Sequence, residues 1–377
     1  MKLSHLILSA TALLGVFFDL AAKPVSPAST ESVHVRLDVD RTVLPADTTE
    51  KAVVKISLDG VRDRRAGKRP PVNLAIVIDR SGSMSGDKIV KAREAAIEAV
   101  ERLSPDDVVS LVVYDNRVDT LISAQRVGNG SRLIQAIRSI EPRGGTALYD
   151  GVVRGAAEVR KNLEDRSFIN RVILLSDGLA NQGPSTPEEL GRLGGSLLRE
   201  GISVTTIGLG LGFNEDLMTR LAQRSDGNTY FVEHSADLSR IFAAELGDVM
   251  NVVARRVVIE IEFPAGVRPL NFVGRDGTVK GQRAELTLNQ IYGGQEKFAL
   301  IEVEVAPNKA DRQIELASAK VNYEDALRQR DASATVKRTV QFSASQSKVI
   351  ASANHQVQTD YAANVLAVAK DQAIDLV

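Results

Sequence analysis

Five short, mainly apolar runs, free of charged residues, constrain this chain more than any other feature. They occupy residues 74–78, 108–113, 172–175, 202–207 and 230–232. A strand with no polar face must be covered on both sides, as happens in a parallel sheet flanked by helices. The intervening segments have helical spacing. Ile89, Ala92, Ala96, Ala99, Val100 and Leu103 share one stripe, and Leu148, Val152, Ala156, Val159 and Leu163 share another. Thr186-Pro187-Glu188-Glu189 is a capping box with proline at the first helical position. Asn214 and Ser235 stand where N-caps are wanted. Alternating strands and helices predict an α/β, doubly wound, mostly parallel, Rossmann-like domain over residues 71–250.

The flanks follow a different rule. Val33, Val35, Leu37 and Val39 alternate with His34, Arg36, Asp38 and Asp40, and Val257, Ile259, Ile261 and Phe263 repeat the pattern. Period two with one wet face belongs to antiparallel sheets. Further strand-like runs fall at residues 52–58, 298–305, 314–323 and 334–342, punctuated by Pro264, Gly266, Gly293-Gly294 and Pro307-Asn308. The expectation is an antiparallel β-sandwich built from residues 31–70 and 251–345, with the α/β domain inserted in it. Residues 346–377 carry Ile350, Val357, Tyr361, Val365 and Ala369 at helical spacing, which predicts a C-terminal helix.

The length of 377 residues fits about two domains. A formal net charge of −1 gives no basic excess of the kind that nucleic-acid binding requires. The most basic stretch, from Arg62 to Arg69, reads as a solvated loop before Pro70-Pro71. With no cysteine there is no disulfide framework, thiolate nucleophile, Cys-ligated zinc or lipidated lipoprotein N-terminus. Met1-Lys2, an apolar run from Leu6 to Phe18 and Ala21-Ala22 form the pattern of a secretory signal peptide, residues 1–22. Asp19 and Leu20 depart from its ideal form, which leaves an uncleaved anchor as the alternative. The expected compartment is extracytoplasmic: periplasm, cell envelope or secreted. No integral membrane span is expected after signal cleavage.

Ligands of open α/β sheets bind beyond the carboxyl ends of the strands, so the residues that follow each run matter most. The first run ends in Asp79-Arg80-Ser81-Gly82-Ser83, and the third ends in Ser176-Asp177-Gly178. Between them, Gly144-Gly145-Thr146 opens a helix. Two carboxylates and three hydroxyls, with no His or Cys, are hard oxygen ligands suited to Mg²⁺, Mn²⁺ or Ca²⁺. Two carboxylates about 4 Å apart repel by ~1 kcal/mol in water and ~4 kcal/mol at a near-surface dielectric. A dication reverses that sign.

Together these residues resemble the metal-ion-dependent adhesion site of von Willebrand factor A (vWA) domains: Asp-x-Ser-x-Ser, a later Thr and a later Asp. The passage Leu221-Ala222-Gln223 to Gly227-Asn228-Thr229-Tyr230-Phe231-Val232 also resembles the family's last helix-to-strand passage. The flanking sandwich resembles secreted bacterial proteins of the family. The resemblance implies that Ser81 and Ser83 ligate a cation directly, that Asp79 and Asp177 bind it directly or through water, and that Thr146 alternates with ligand state. It also implies a vacant position that takes an Asp or Glu of a partner protein. In the family the last helix, here about residues 236–250, can shift when ligand binds; a fixed packed helix is the other reading.

Arg80 and Arg143 are weaker candidates for the rim, where they would steer acidic ligands; as ordinary solvated arginines they need no role. Asp115 ends the second run and reads first as a turn residue, second as part of the same rim. Gly208-Leu209-Gly210-Leu211-Gly212 lacks dinucleotide-loop spacing and reads as turn glycines. His5, His34, His234 and His355 are scattered singly, and no nucleophile elbow accompanies them. The expected function is therefore a non-enzymatic, metal-dependent protein-binding module for adhesion or scaffolding. One alternative is a purely structural metal with binding through the sandwich. The other is a metal-assisted hydrolase, which lacks a base beyond the two carboxylates already assigned as ligands.

Overall fold

A computed structural model describes residues 32–62, 69–177, 180–210 and 214–374. The expected signal peptide, most of the basic stretch before Pro70, Gly178 and the end of the glycine-rich loop after residue 210 lie outside the described residues. The chain opens with strands β1 (Val33–Val39), β2 (Val43–Pro45) and β3 (Glu50–Gly60). The middle runs β4 (Val72–Asp79), α1 (Asp87–Arg102), β5 (Val108–Tyr114), β6 (Val118–Arg126), α2 (Ser131–Arg138), α3 (Leu148–Arg160) and β7 (Ile169–Ser176). It continues through α4 (Pro187–Arg199), β8 (Ser203–Leu209), α5 (Glu215–Arg224), β9 (Thr229–Val232) and α6 (Leu238–Met250). Then follow β10 (Val252–Glu262), β11 (Val267–Val273), β12 (Thr278–Lys280), β13 (Arg283–Tyr292), β14 (Glu296–Val305), β15 (Gln313–Asp325) and β16 (Arg330–Ser343). Helices α7 (Gln346–Ala351) and α8 (His355–Ile374) come last.

The middle forms a doubly wound sheet in the order β6-β5-β4-β7-β8-β9, parallel except for the antiparallel edge strand β6. Each of the five predicted apolar runs lies on a strand of this sheet. The cause is burial on both faces. Leu74, Ile76 and Ile78 of β4 join the core under α1, α2 and α6, while Ala75 and Val77 join the core under α3, α4 and α5. Gly155 lets α3 approach closely, because a Cβ there would lie 2.5 Å from Val77 Cγ2. The chain passes from β4 to β5 on one side and crosses to β7 on the other, so the direction of winding reverses between β4 and β7.

The flanks form two further sheets, β1-β3-β14-β11 and β12-β13-β10-β15-β16-β2. Every neighbouring pair is antiparallel except β16 and β2. Val54, Ile56 and Val303 of the first sheet share one core with Val257, Ile259 and Val321 of the second, so the sheets pack face to face as a sandwich. Strand β3 is buried almost throughout because α8 covers its outer face. Val357 packs there on Val53, Val273 and Leu300, and Lys55 pairs with Asp360 at 2.7 Å.

The C-terminal segment departs from the expected single helix. A break at residues 352–354 divides it, where Arg41 bridges to Ala353 and the amide of Asn354 donates to the carbonyl of Asp40. Ile350 is exposed, so the apolar stripe assigned there is interrupted. No helix among the described residues is long and apolar enough to cross a membrane.

Candidate functional site

The carboxyl ends of β5, β4 and β7 lie side by side. Ile78 is in register with Leu175, and Asp79 with Tyr114. The residues that follow must therefore meet: Asp79 ends β4, Asp115 follows β5, and Asp177 follows β7. After Asp79 the chain turns through a 3₁₀ turn at Gly82–Met84, anchored by the buried side chain of Met84. Helix α1 then begins.

Asp79 is fully buried. One of its oxygens accepts from Ser176 Oγ at 2.7 Å, and the other accepts from the amide of Ser81 at 2.7 Å. The hydroxyls of Ser81 and Ser83 are 3.0 Å apart, and Ser83 Oγ donates to Asp177 Oδ1 at 2.8 Å. Asp177 Oδ2 pairs with the ammonium of Lys88 at 2.5 Å. Asp79, Ser81, Ser83 and Asp177 thus belong to one hydrogen-bond network, in which Ser81 is joined to Asp79 through its amide and to Ser83 through its hydroxyl.

Thr146 sits on a loop fastened to the first turn by two backbone bonds. Gly82 N donates to Gly144 O at 3.0 Å, and Arg143 N donates to Arg80 O at 2.6 Å. Asn181 brackets Thr146: its side-chain oxygen accepts from the Thr146 amide at 2.9 Å, and its amide donates to the Thr146 carbonyl at 3.2 Å. Asn116 accepts from the amide of Gly145. Thr146 itself is buried.

Electrostatics distinguish the two carboxylates. Burial pushes Asp79 up to about 6, with the charge of Asp177 acting in the same direction against the hydrogen bonds from Ser176 and Ser81. Asp177 has the ammonium of Lys88 as counter-charge. The rim thus gathers hard oxygen donors around a carboxylate whose ionised form is only partly compensated by two hydrogen bonds, and this donor set fits a divalent cation.

Arg80 and Arg143 are committed elsewhere. Arg80 is buried, with Nε 2.7 Å from Asp115 Oδ2, and its second contact is Asp119. Arg143 reaches the same oxygen of Asp115 at 2.9 Å and Asp119 at 3.4 Å. Arg80 is thus not an ordinary solvated arginine, because its guanidinium is inside a clamp with Asp115 and Asp119. Arg143 remains largely exposed. Asp115 serves both as turn residue, accepting from the amide of Arg117 at 2.9 Å, and as the centre of this clamp. Burial opposes its ionisation, but Arg143, the Arg117 amide and Arg80 hold its carboxyl below the ordinary range.

Sequence reasoning assigned no role to Lys88, Ser176, Asn116 or Asn181. Ser176 was within the motif but gave only its neighbour Asp177. Lys88, in the first turn of α1, reads from sequence as a solvated helix charge, and the two asparagines read as loop residues. Of the glycine-rich loop, Gly210 has φ +81 and is a turn glycine.

A doubly wound sheet with an oxygen-rich rim at the switch between β4 and β7 defines the class: a doubly wound α/β domain, here set on a β-sandwich. Residues 73–244 match the family described as von Willebrand factor type A domain, and this stretch of the chain has the VWA fold. An uncharacterized protein of Synechocystis sp., sll0103, is 30% identical over 244 residues, which cover 62% of this chain and 57% of that protein. The chain therefore matches little more than half the length of that relative. A von Willebrand factor type A protein from Catenulispora acidiphila superposes with a TM-score of 0.70 at 18% identity, covering 86% of this chain and 77% of the other. The ArnB paralog VWA2 from Sulfolobus acidocaldarius gives 0.62 at 16% identity, covering 89% and 82%. Both extend well beyond the VWA domain, so the shared fold includes the sandwich.

Proposed function

We propose that Asp79, Ser81, Ser83, Thr146 and Asp177 hold one divalent cation, Mg²⁺ or in its place Mn²⁺ or Ca²⁺, as a metal-ion-dependent adhesion site. On this reading the protein is an extracytoplasmic, non-enzymatic binding module that captures an Asp or Glu of a partner protein. The observation that carries it is the single hydrogen-bond network running from Ser176 through Asp79, Ser81 and Ser83 to Asp177 at the rim of the VWA sheet. A bound cation supplies a positive centre that a partner's carboxylate can reach. The serine hydroxyls add ligation without cancelling that charge. Both rim carboxylates are already engaged, Asp79 by Ser176 and Ser81 and Asp177 by Ser83 and Lys88. That leaves neither as a base for hydrolysis and favours binding over catalysis.

Calorimetric titration of Mg²⁺ and Mn²⁺ into the chain from Lys23 onward, beside Asp79→Ala, Asp177→Ala and Lys88→Met, tests the site. One-to-one binding lost in both aspartate variants is expected. Lys88→Met should bind at least as tightly as the wild type, because the metal no longer competes with the ammonium at Asp177. Binding that survives in both aspartate variants would place the metal elsewhere. Partner capture should be lost in EDTA and in Asp79→Ala. If metal binds and raises the melting temperature while capture is insensitive to EDTA, the metal is structural and the sandwich is the binding surface.

A further inference from the structure

The loop that carries Thr146 is fastened at most of its backbone polar groups. The amides of Arg143 and Ala147 donate to the carbonyls of Arg80 at 2.6 Å and Asp115 at 2.8 Å, and the carbonyl of Gly144 accepts from the amide of Gly82 at 3.0 Å. The amides of Gly145 and Thr146 go to side chains instead. Asn116 Oδ1 accepts from Gly145, and Asn181 Oδ1 accepts from Thr146 at 2.9 Å. Asn181 closes a ring, because its own amide donates to the Thr146 carbonyl at 3.2 Å.

Asn116 stands on the turn between β5 and β6, and Asn181 in the connection from β7 to α4. Strands β5 and β7 are the two neighbours of β4, so the loop is held from both sides of the strand that ends in Asp79. Two glycines make room for the asparagine oxygens. A Cβ on Gly144 would lie 2.8 Å from Asn116 Oδ1, and one on Gly145 would lie 2.8 Å from Asn116 Oδ1 and 3.0 Å from Asn181 Oδ1. A side chain at either position would push an amide oxygen off its bond. Gly144 also takes φ +73, which a β-carbon disfavours.

These bonds hold the backbone of Thr146 and spare its side chain. Thr146 is 3% exposed, yet among the described residues its hydroxyl has no hydrogen-bond partner. Buried hydroxyls are ordinarily paired, and a β-branched side chain has few χ1 positions once its backbone is fixed. The arrangement therefore presents a hydroxyl that is placed in advance and not spent on the protein.

We propose that Asn116 and Asn181 are positioning residues that keep the Thr146 hydroxyl in its binding position before metal or partner arrives. This rests on the reading of the rim as a metal site. It adds how that site is regulated: capture is set by occupancy of the metal, and the Thr146 loop stays still. The change with ligand state that the resemblance implies for Thr146 then falls on the contacts of the cation, not on the backbone of this loop.

Hydrogen exchange of the peptide spanning residues 143–147, beside calorimetric titration of Mg²⁺, tests it on the full chain. In the wild type the peptide should be protected in EDTA, and its rate should change less than about twofold when Mg²⁺ is added. Asn116→Ala and Asn181→Ala should exchange at least about fivefold faster in EDTA and regain protection with Mg²⁺. They should bind Mg²⁺ at least about fivefold more weakly, because the binding position is then only partly populated. Asn181→Asp keeps an acceptor for the Thr146 amide and should restore the metal-free protection. Protection that appears in the wild type only with Mg²⁺ would overturn the proposal, and that comparison needs no variant to fold. Alanine variants with wild-type protection and wild-type affinity would overturn it as well. A wild type that binds no Mg²⁺ would instead overturn the reading of the rim as a metal site, and this proposal with it.

Discussion

Asp79 is the residue on which the rim's electrostatics turn. Its folded value of about 6 lies above the ordinary 3.8 because burial disfavours the ionised form. For a group raised on folding, the stabilising contribution is complete below the unfolded value and is lost as pH rises through the folded one. The metal-free wild type therefore carries a penalty at neutral pH that Asp79→Asn does not. The stability of Asp79→Asn relative to wild type should widen from about pH 4 to about pH 6 and then level off. At 1.36 kcal/mol per unit the plateau is at most ~3 kcal/mol, less whatever hydrogen bonding to Ser176 or Ser81 the amide forfeits. Thermal melts by circular dichroism in EDTA at about pH 4.5 and about pH 7.5 measure this, and a pH-independent difference would refute it. The residues legible in the sequence here, Asp79, Ser81, Ser83 and Asp177, share one property: each ends an apolar strand or lies in the turn that follows it, so topology and one local turn bring them together. Lys88, Asn116 and Asn181 reach the same rim through side-chain reach from a helix and two loops. No periodicity encodes that.

Elements were legible to the extent that one force shaped them. Helix α4 is an example. Thr186 Oγ1 accepts from the amide of Glu189, and the Glu189 carboxylate accepts in return from the amide of Thr186, with Pro187 at the first position. All the partners lie within four residues, so the motif declares the helix start. Thr186→Ala should cost about 1 kcal/mol, read as a lower midpoint in denaturant with an unchanged slope. Loss of less than a few tenths would mean that Pro187 and tertiary packing set the start on their own. Asn214 behaves in the same way, accepting from the amide of Leu217. Ser235 does not cap α6, because a 3₁₀ turn at Ser235–Asp237 intervenes and α6 begins only after Asp237. Strand β6 was not legible because it is half-buried along most of its length and offers neither alternation nor an apolar run. Strand β13 was missed for a longer-range reason. Its second half is buried although it contains Asn289 and Gln290. Those polar groups are satisfied across the junction by Ser203, Asp226 and Arg171. A pattern read from neighbours in sequence cannot include partners 60 to 120 residues away.

That junction holds the whole molecule together, and its centre is Arg171. The Arg171 side chain on β7 is fully buried, and so is that of Glu245 on α6, 3.5 Å away. Arg171 also donates to Thr205 Oγ1 of β8 at 3.1 Å and to Gln290 Oε1 at 2.6 Å, and it contacts the hydroxyl of Tyr292 on β13. Thr205 in turn donates to Glu245 at 2.5 Å, and Asn228 donates to its other oxygen at 2.8 Å. One network therefore fastens the VWA sheet, its last helix and the sandwich at one point. It restrains α6 close to where that helix passes into β10. An insertion between two halves of a sandwich could unfold independently of its host, but the buried bonds from Arg171 to Gln290 and Tyr292 of β13 tie the two transitions together, and Glu245 supplies the counter-charge that keeps Arg171 there. Replacing both members of such a pair can be nearly neutral, whereas removing one leaves an uncompensated charge at a cost of about 3–5 kcal/mol. Arg171→Met should fall in that range. Adding Glu245→Gln to it should recover a large part, because the stranded carboxylate is gone and Asn228 and Thr205 can still bond the amide. With no tryptophan in the chain, denaturation is followed by circular dichroism, near-ultraviolet for the tyrosines and far-ultraviolet for the backbone. The wild type should unfold in one transition with coincident curves, and Arg171→Met should separate them. Strictly additive losses in the double variant would show that the pair is not coupled, and coincident curves in Arg171→Met would show that the two parts are joined by other contacts.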